Sequence, residues 1–424
     1  EKLETVVIGY SVKSIGNYAF YNCGLSKVTI PSSTKYIGKY AFANNKFMTK
    51  VTHKKGVVII DEFAYQNCTS LETVTLPTSL EIISKGVFQN CSLLKTANLP
   101  SSLKTLGSYA FDNCSSLPTV TIPTGVTAIN DCTFNKCTSL ATVTINSNVT
   151  SIGFDAFREC AFSAIILPNT VETIKGGAFR GCAKLTKIII PDATKTIGEA
   201  AFFDCTELSE ISVADLLECL GDSALKNNNN LTAKIRYLSG TVTDSLFEKQ
   251  GISHAVLDEN ILKIGNSVFA YCYKLNDITY GDKKAADGEF LFSDKVVSLG
   301  NEIFKDASLL KNLIIPDTIE TIGPNAFYNS VEGGYHTQNV TVTFYYVGGN
   351  IAADILKEQK ISHIVVNDNI KSIGNNAFNS ITTLETVSLP DTVTTCGDNV
   401  FAETSGNVTA YFRGVDGTID KDVY

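Results

Sequence analysis

Residues 71–91 read LETVTLPTSLEIISKGVFQNC, and one whole structural repeat can be read from this stretch. Leu71, Val74 and Leu76 follow an L-x-x-L-x-L spacing. Val74 and Leu76 alternate with Thr73 and Thr75, the period-2 signature of a strand with one buried face. Pro77 has no backbone N–H to give a ladder and ends the strand. The chain then turns, and Leu80 and Ile83 point back inward. The G-x-x-A-F portion that follows is clearest at 15–20, IGNYAF, and suits a bend with a short helical or 3₁₀ turn. A strand, two turns and a full helix overfill 23 residues, so the side opposite the strand should consist mostly of short turns.

The same pattern recurs along nearly the whole chain. Its aromatic or Leu marker falls at Phe20, Phe42, Tyr65, Phe88, Phe111, Phe134, Phe157, Phe179, Phe202, Leu225, Phe247, Phe269, Phe304, Phe327, Leu356, Phe378 and Phe401. Most steps are 22 or 23 residues; the steps from Phe269 to Phe304 (35) and from Phe327 to Leu356 (29) carry insertions. Eight of the ten prolines sit in the Pro77 slot. A fixed period of this length means stacked units, none of which can bury its apolar face alone. A 424-residue globular chain would split into domains, whereas a repeat array grows in one dimension.

The pattern L-x-x-[LV]-x-[LI]-P-x-[ST]-[LV]-x-x-I-G-x-x-A-F-x-x-C resembles the BspA-like, or Treponema-type, leucine-rich repeat. The resemblance implies an α/β-type right-handed leucine-rich-repeat solenoid of about seventeen repeats over 1–424. One short strand per repeat would form a concave parallel sheet, and turns with short helical or 3₁₀ segments would form the convex side. Such repeats are common in surface and secreted proteins of bacteria and some parasitic protists, where they are associated with attachment. The resemblance therefore implies an extracellular or cell-surface interaction module and brings no catalytic residues. The alternatives are a structural spacer and an accessory module of a larger surface protein or extracellular enzyme. The IG and AF signals are degraded around 225–260 and 339–367.

Composition narrows the function further. A hydrophobic fraction of 44% is enough for a continuous core. No run of eighteen apolar residues suggests a membrane span. The chain starts inside a repeat, which is compatible with a removed upstream segment. Net charge is −8, divided into +6 over 1–200 (19 basic, 13 acidic) and −14 over 201–424 (16 basic, 30 acidic). There is no dense basic stripe with interleaved aromatics, so nucleic acid is not the expected partner. The four histidines, His53, His254, His336 and His363, are far apart in sequence, and no GxSxG, HExxH or Walker loop occurs. No enzyme activity, cofactor or metal is expected.

Nine of the twelve cysteines fall three residues after the marker, from Cys23 to Cys272. They form a ladder rather than pairs, and small buried thiols in a tight turn explain them better than disulfides or metal ligation. A longer period also exists: residues 230–269 match 339–378 at an offset of 109, and a third copy begins at Asn407. In this module DSLFEKQ and ADILKEQ lack Gly and Pro and suggest a short helix. It also places His254 and His363 in one outward slot. After Asn407 either the acidic tail DGTIDKD caps the last strand or the parent protein continues. Asn148 and Asn230 lie in N-x-T sequons, relevant only where the source glycosylates asparagine.

A protein or glycan ligand has two candidate locations. On the sheet, the central outward slot reads Thr29, Thr52, Thr75, Asn98, Thr121, Thr144, Ile166, Ile189 and Ser212, and the flanking slot includes Lys27, Lys50, Thr73, Thr96, Thr119, Thr142 and Lys187. Threonine favours exposed strands in any case; the isoleucines do not fit a purely solvated face. The other location is the pair of insertions, 281–289 with Asp282, Lys283 and Lys284, and 331–338 with Tyr335 and His336, expected to precede strands and project from one edge. Oligomeric state is not readable from the sequence.

Overall fold

The computed structural model describes residues 3–328, 339–345, 347–404, 408–413 and 419–420. The chain divides into two compact units, Glu1–Ser209 with Cys219–Asn229, and Glu210–Glu218 with Asn230–Tyr424.

In the first unit, stacked coils are joined by parallel ladders. The main ladder contains Lys27–Ile30, Lys50–His53, Thr73–Thr75 and Thr96–Ala97, then the pair Thr119–Thr121 and Thr142–Thr144, then Lys187–Ile189. The register matches the sequence period, Val28 with Val51 and Val51 with Val74. These valines are buried while Thr29 and Thr75 face out, as the alternation requires.

A second parallel ladder was not legible in the sequence. It consists of two-residue strands such as Tyr36–Ile37, Ile59–Ile60 and Ile82–Ile83, each burying its second residue. Two residues are too few to display a period.

The third side corrects one expectation: no helix occurs among the described residues. In the coil around Tyr65, the N–H groups of Phe63, Tyr65 and Asn67 donate to carbonyls of Lys85, Val87 and Gln89 in the next coil, at 2.8–2.9 Å. The intervening Ala64, Gln66 and Cys68 close tight turns within their own coil. Every N–H of the segment is thereby satisfied, half of them between coils. This needs left-handed residues at Phe63 (φ 57) and Asn67 (φ 58), which no right-handed helix tolerates. DSLFEKQ and ADILKEQ follow the same rule: Ser245 and Lys249, and Asp354 and Glu358, have φ between 56 and 61. A left-handed non-Gly residue costs roughly 1–2 kcal/mol, and the inter-coil hydrogen bonds offset it. Asparagine, which tolerates this conformation, also links coils through its side chain: Asn67 Nδ2 donates to Asn44 Oδ1 (2.8 Å), Asn90 to Asn67 (2.8 Å) and Asn113 to Asn90 (3.0 Å).

The marker aromatics stack face to face through the core, from Phe20 to Phe202, with ring centroids 5.1–5.6 Å apart. Beside them run the cysteines. The buried thiols of the ladder donate to the carbonyl of the preceding coil's aromatic, as in Cys68 to Phe42 (3.3 Å), Cys91 to Tyr65 (3.3 Å) and Cys114 to Phe88 (3.1 Å). Burial pushes the Cys68 thiol up to about 12.

In the second unit a main ladder runs from Glu210–Ala214 through Thr232–Arg236, His254–Leu257 and Asp277–Tyr280 to Thr409–Arg413. The first insertion enlarges it. Asp277–Tyr280 pairs directly with Glu289–Leu291, while the second ladder passes from Lys263–Ile264 straight to Ser298–Leu299. Residues 281–288 thus return the chain to start an extra strand. At the end of this return the Gly288 N–H donates to the Asn276 carbonyl at 2.7 Å. Within the tail, Ile419–Asp420 pairs antiparallel with Thr409–Arg413.

Candidate binding surface

The outward slot of the main ladder in the first unit is a real surface row. Thr75, Asn98, Thr121 and Thr144 are all exposed. Thr52 pairs with Thr75, and Thr121 with Thr144, so their hydroxyls and methyls repeat at the strand spacing of about 4.8 Å.

Ile166 and Ile189 interrupt the polar row. Ala164 bridges Lys187, which places the two isoleucines level with each other. They are 85% and 57% exposed, the most solvent-facing apolar side chains on the sheet among the described residues. Their setting has a local cause. Phe162 takes the buried slot that Leu25 and Leu140 hold in other coils, edge-on to Phe157 (6.0 Å) and Phe179 (6.3 Å). Around this bulkier ring the strand shrinks to the single Ala164–Lys187 bridge, and no ladder joins it to Thr142–Thr144. Val143 accordingly loses the full burial of its counterpart Val120. Ser212, the next residue in the sequence-read slot, belongs to the second unit. There it is 7% exposed and covered by Arg236, whose guanidinium donates to its hydroxyl at 2.9 Å.

Some of the charge on the first unit's surface is arranged in coil-to-coil rungs, Lys39 with Glu62 (3.0 Å), Lys95 with Glu72 (3.3 Å) and Lys104 with Glu81 (2.9 Å). Such exposed pairs contribute little stability. Asp282, Lys283 and Lys284 are exposed on the return loop. Tyr335 and His336, with the second insertion, lie outside the described residues.

The duplicated histidines have different partners. His254 Nδ1 lies 2.7 Å from Asp277 and its Nε2 2.9 Å from Asn230. His363 Nδ1 contacts the Thr386 hydroxyl at 2.7 Å. Among the described residues no group of three or more His, Cys, Asp or Glu could hold a metal ion, and no helix is long and apolar enough to cross a membrane.

Two polar arrangements escaped sequence reasoning. His53 occupies the inward strand slot of Ile30. It is buried between the Thr75 carbonyl (Nδ1, 3.0 Å) and the Tyr65 hydroxyl (Nε2, 2.8 Å). Tyr65 replaces phenylalanine in the aromatic column, so the two departures from the repeat satisfy each other. The signal was present: both irregularities fall within 13 residues. The second arrangement explains the 109-residue module. Asp215, fully buried, accepts the N–H groups of Leu238 and Ser239 (3.1 Å) and Gly240 (2.7 Å) from the next coil. Asp317 does the same for Val347 and Gly348 (both 2.8 Å) and Gly349. Residues 238–240 and 347–349 are therefore tight turns wrapped around a carboxylate supplied by the coil before.

The BspA type leucine rich repeat region matches residues 1–118, 104–232, 177–296, 284–344 and 349–413, in 6 copies. A search of curated proteins found no match. Among solved structures, a leucine-rich repeat protein from Bacteroides ovatus ATCC 8483 is 25% identical, with a TM-score of 0.50 over 89% of this chain and 84% of that one. A leucine rich cell surface protein from Faecalibacterium prausnitzii A2-165 is 22% identical, with a TM-score of 0.38 over 82% and 86%. The T. pallidum leucine rich repeat protein is 30% identical, with a TM-score of 0.34 over 41% and 72%. With its stacked parallel ladders and its repeats matched along nearly the full length, the chain belongs to the BspA-type leucine-rich repeat family.

Proposed function

We propose that this protein is a non-catalytic interaction module of a cell surface or extracellular space, adhesive in character, which binds a protein or glycan through the outward face of its main ladder. The observation that carries this reading is the level pair Ile166 and Ile189, exposed beside the rows of Thr121 and Thr144. A strand face built only for solvent has no use for two adjacent isoleucines, and exposed apolar residues rimmed by polar ones mark interaction sites. The extended regular face suits a large partner, as solenoid surfaces do in general. The surface location rests on the attachment role associated with the family.

The test is a binding screen of the whole chain against extracellular-matrix proteins and glycans. Wild type is compared with the quadruple variant Thr121→Glu, Thr144→Glu, Ile166→Lys, Ile189→Lys. Loss of a wild-type interaction in the variant supports the reading. Equal binding moves the site off this face.

A further inference from the structure

The turn side of the first unit carries a column of side chains two residues before each marker: Tyr18, Tyr40, Phe63, Gly86, Tyr109, Cys132, Asp155, Gly177, Ala200 and Ser223, all left-handed. In the first coils rings fill this column. Tyr18 stacks on Tyr40 and Tyr40 on Phe63, each at 5.0 Å. Gly86 makes room for Phe63, whose Cε1 would lie 2.3 Å from an added Cβ. Gly177 likewise makes room for the Asp155 carboxylate, whose Oδ1 would lie 2.1 Å from an added Cβ, and with no ring at Gly177 or Ala200 the column leaves a surface recess of about 530 Å³. Its floor is backbone: an added Cβ on Gly198 would sit 2.4 Å from the Gly176 nitrogen. Phe154, 53% exposed, stands at one wall. The rim carries two charges of each sign, Lys175, Arg180, Asp155 and Glu199.

Lys175 and Asp155 have partners of opposite charge, and Arg180 lies over a ring. Lys175 Nζ reaches Asp131 Oδ1 at 3.3 Å and lies 5.0 Å over the Phe154 ring. Arg158 approaches Asp155 at 3.9 Å, and Arg180 lies 5.1 Å over Phe203. An anionic ligand would gain Arg180 but meet Glu199 and Asp155, and a cation would meet the reverse. A neutral ring bearing many hydroxyls can donate to the carboxylates and accept from the guanidinium and ammonium with no net charge to balance. The Phe154 edge offers it an apolar contact, and the volume lies within the usual range for small-molecule sites.

We propose that the recess between Phe154, Gly177 and Ala200 is a binding site for a neutral saccharide. It is distinct from the outward sheet face, so it stands or falls independently of that reading.

The test uses the whole chain and saturation-transfer NMR followed by titration. The probes are neutral gluco-, galacto-, manno- and xylo-oligosaccharides, with uronate oligosaccharides as the acidic arm. Ala200→Tyr should fill the recess without disturbing the coil, because tyrosine already holds the same left-handed slot at Tyr18, Tyr40 and Tyr109. At least one neutral series should bind, and Ala200→Tyr and Phe154→Ala should each weaken it tenfold or more. Lys46→Gln, an exposed change outside both surfaces, should leave it unchanged. If Ala200→Tyr fails to fold, Phe154→Ala and the exposed change Glu199→Gln carry the test. No neutral binding, tighter binding of uronates, or affinity unmoved by the recess variants would overturn the proposal.

Discussion

His53 shows how a single residue departs from a repeat and is accommodated. Its ring is fully enclosed, and burial pushes its pKa down to about 4 from 6.5. The folded-state value lies below the unfolded one, so on acidification the unfolded chain takes up the proton first. The contribution of neutral His53 is complete above about pH 6.5 and is lost as pH falls toward 4. Over that window the loss should reach about 3 kcal/mol, at 1.36 kcal/mol per unit. Urea unfolding across this range should show the slope in wild type. The double variant His53→Leu, Tyr65→Phe, which returns both slots to the repeat pattern, should flatten it. Tyr65→Phe alone should destabilise, because it strips a buried nitrogen of its partner. The same logic applies at Asp317. Asp317→Ala leaves three N–H groups of a tight turn without an acceptor and should cost about 3 kcal/mol. Fast hydrogen exchange at Gly348 and Gly349 would report it, and unchanged exchange there would contradict the carboxylate's role.

At the scale of the element, legibility followed repetition. The main strands, the aromatic column and the cysteine ladder were readable because each recurs every 22 or 23 residues with one residue type per slot. The second ladder was not, since Ile82–Ile83 and its kin are too short to alternate. The turn side misled for a different reason. DSLFEKQ has good helix formers, but helix propensity counts bonds within a segment, whereas Phe247 N–H donates to Val268 of the next coil. The threonine row and the isoleucine pair were legible as outward slots, but the Phe162 wedge that unsettles the strand there was not, because nothing in sequence separates a core Phe from a core Leu of the same slot. The recess at Gly177 and Ala200 was hidden too, being made by what neighbouring coils lack. The thiol ladder makes its own prediction. In the native protein a thiol reagent should modify Cys219 and Cys396, which are exposed, and leave Cys68, Cys91, Cys114 and Cys137 untouched until unfolding. Prompt labelling of those four would show that the coils do not bury them.

At the scale of the whole molecule, the structure is a repetitive framework on which a few irregular coils carry the individuality. Regular coils bond to their neighbours through three sets of inter-coil contacts and leave polar rows outside. The irregular coil at Phe162 brings the level pair Ile166 and Ile189 to the surface, and the 281–288 return brings the exposed Asp282, Lys283 and Lys284. The charge contrast between the chain's two halves adds an electrostatic preference that should show as salt-dependent association with any charged partner. The most direct measurement is a hydrogen-exchange footprint of the whole chain with and without a partner captured in the matrix screen. Protection should concentrate on 119–122, 142–145 and 164–190. Protection confined to other coils, with these segments unchanged, would contradict binding through this face.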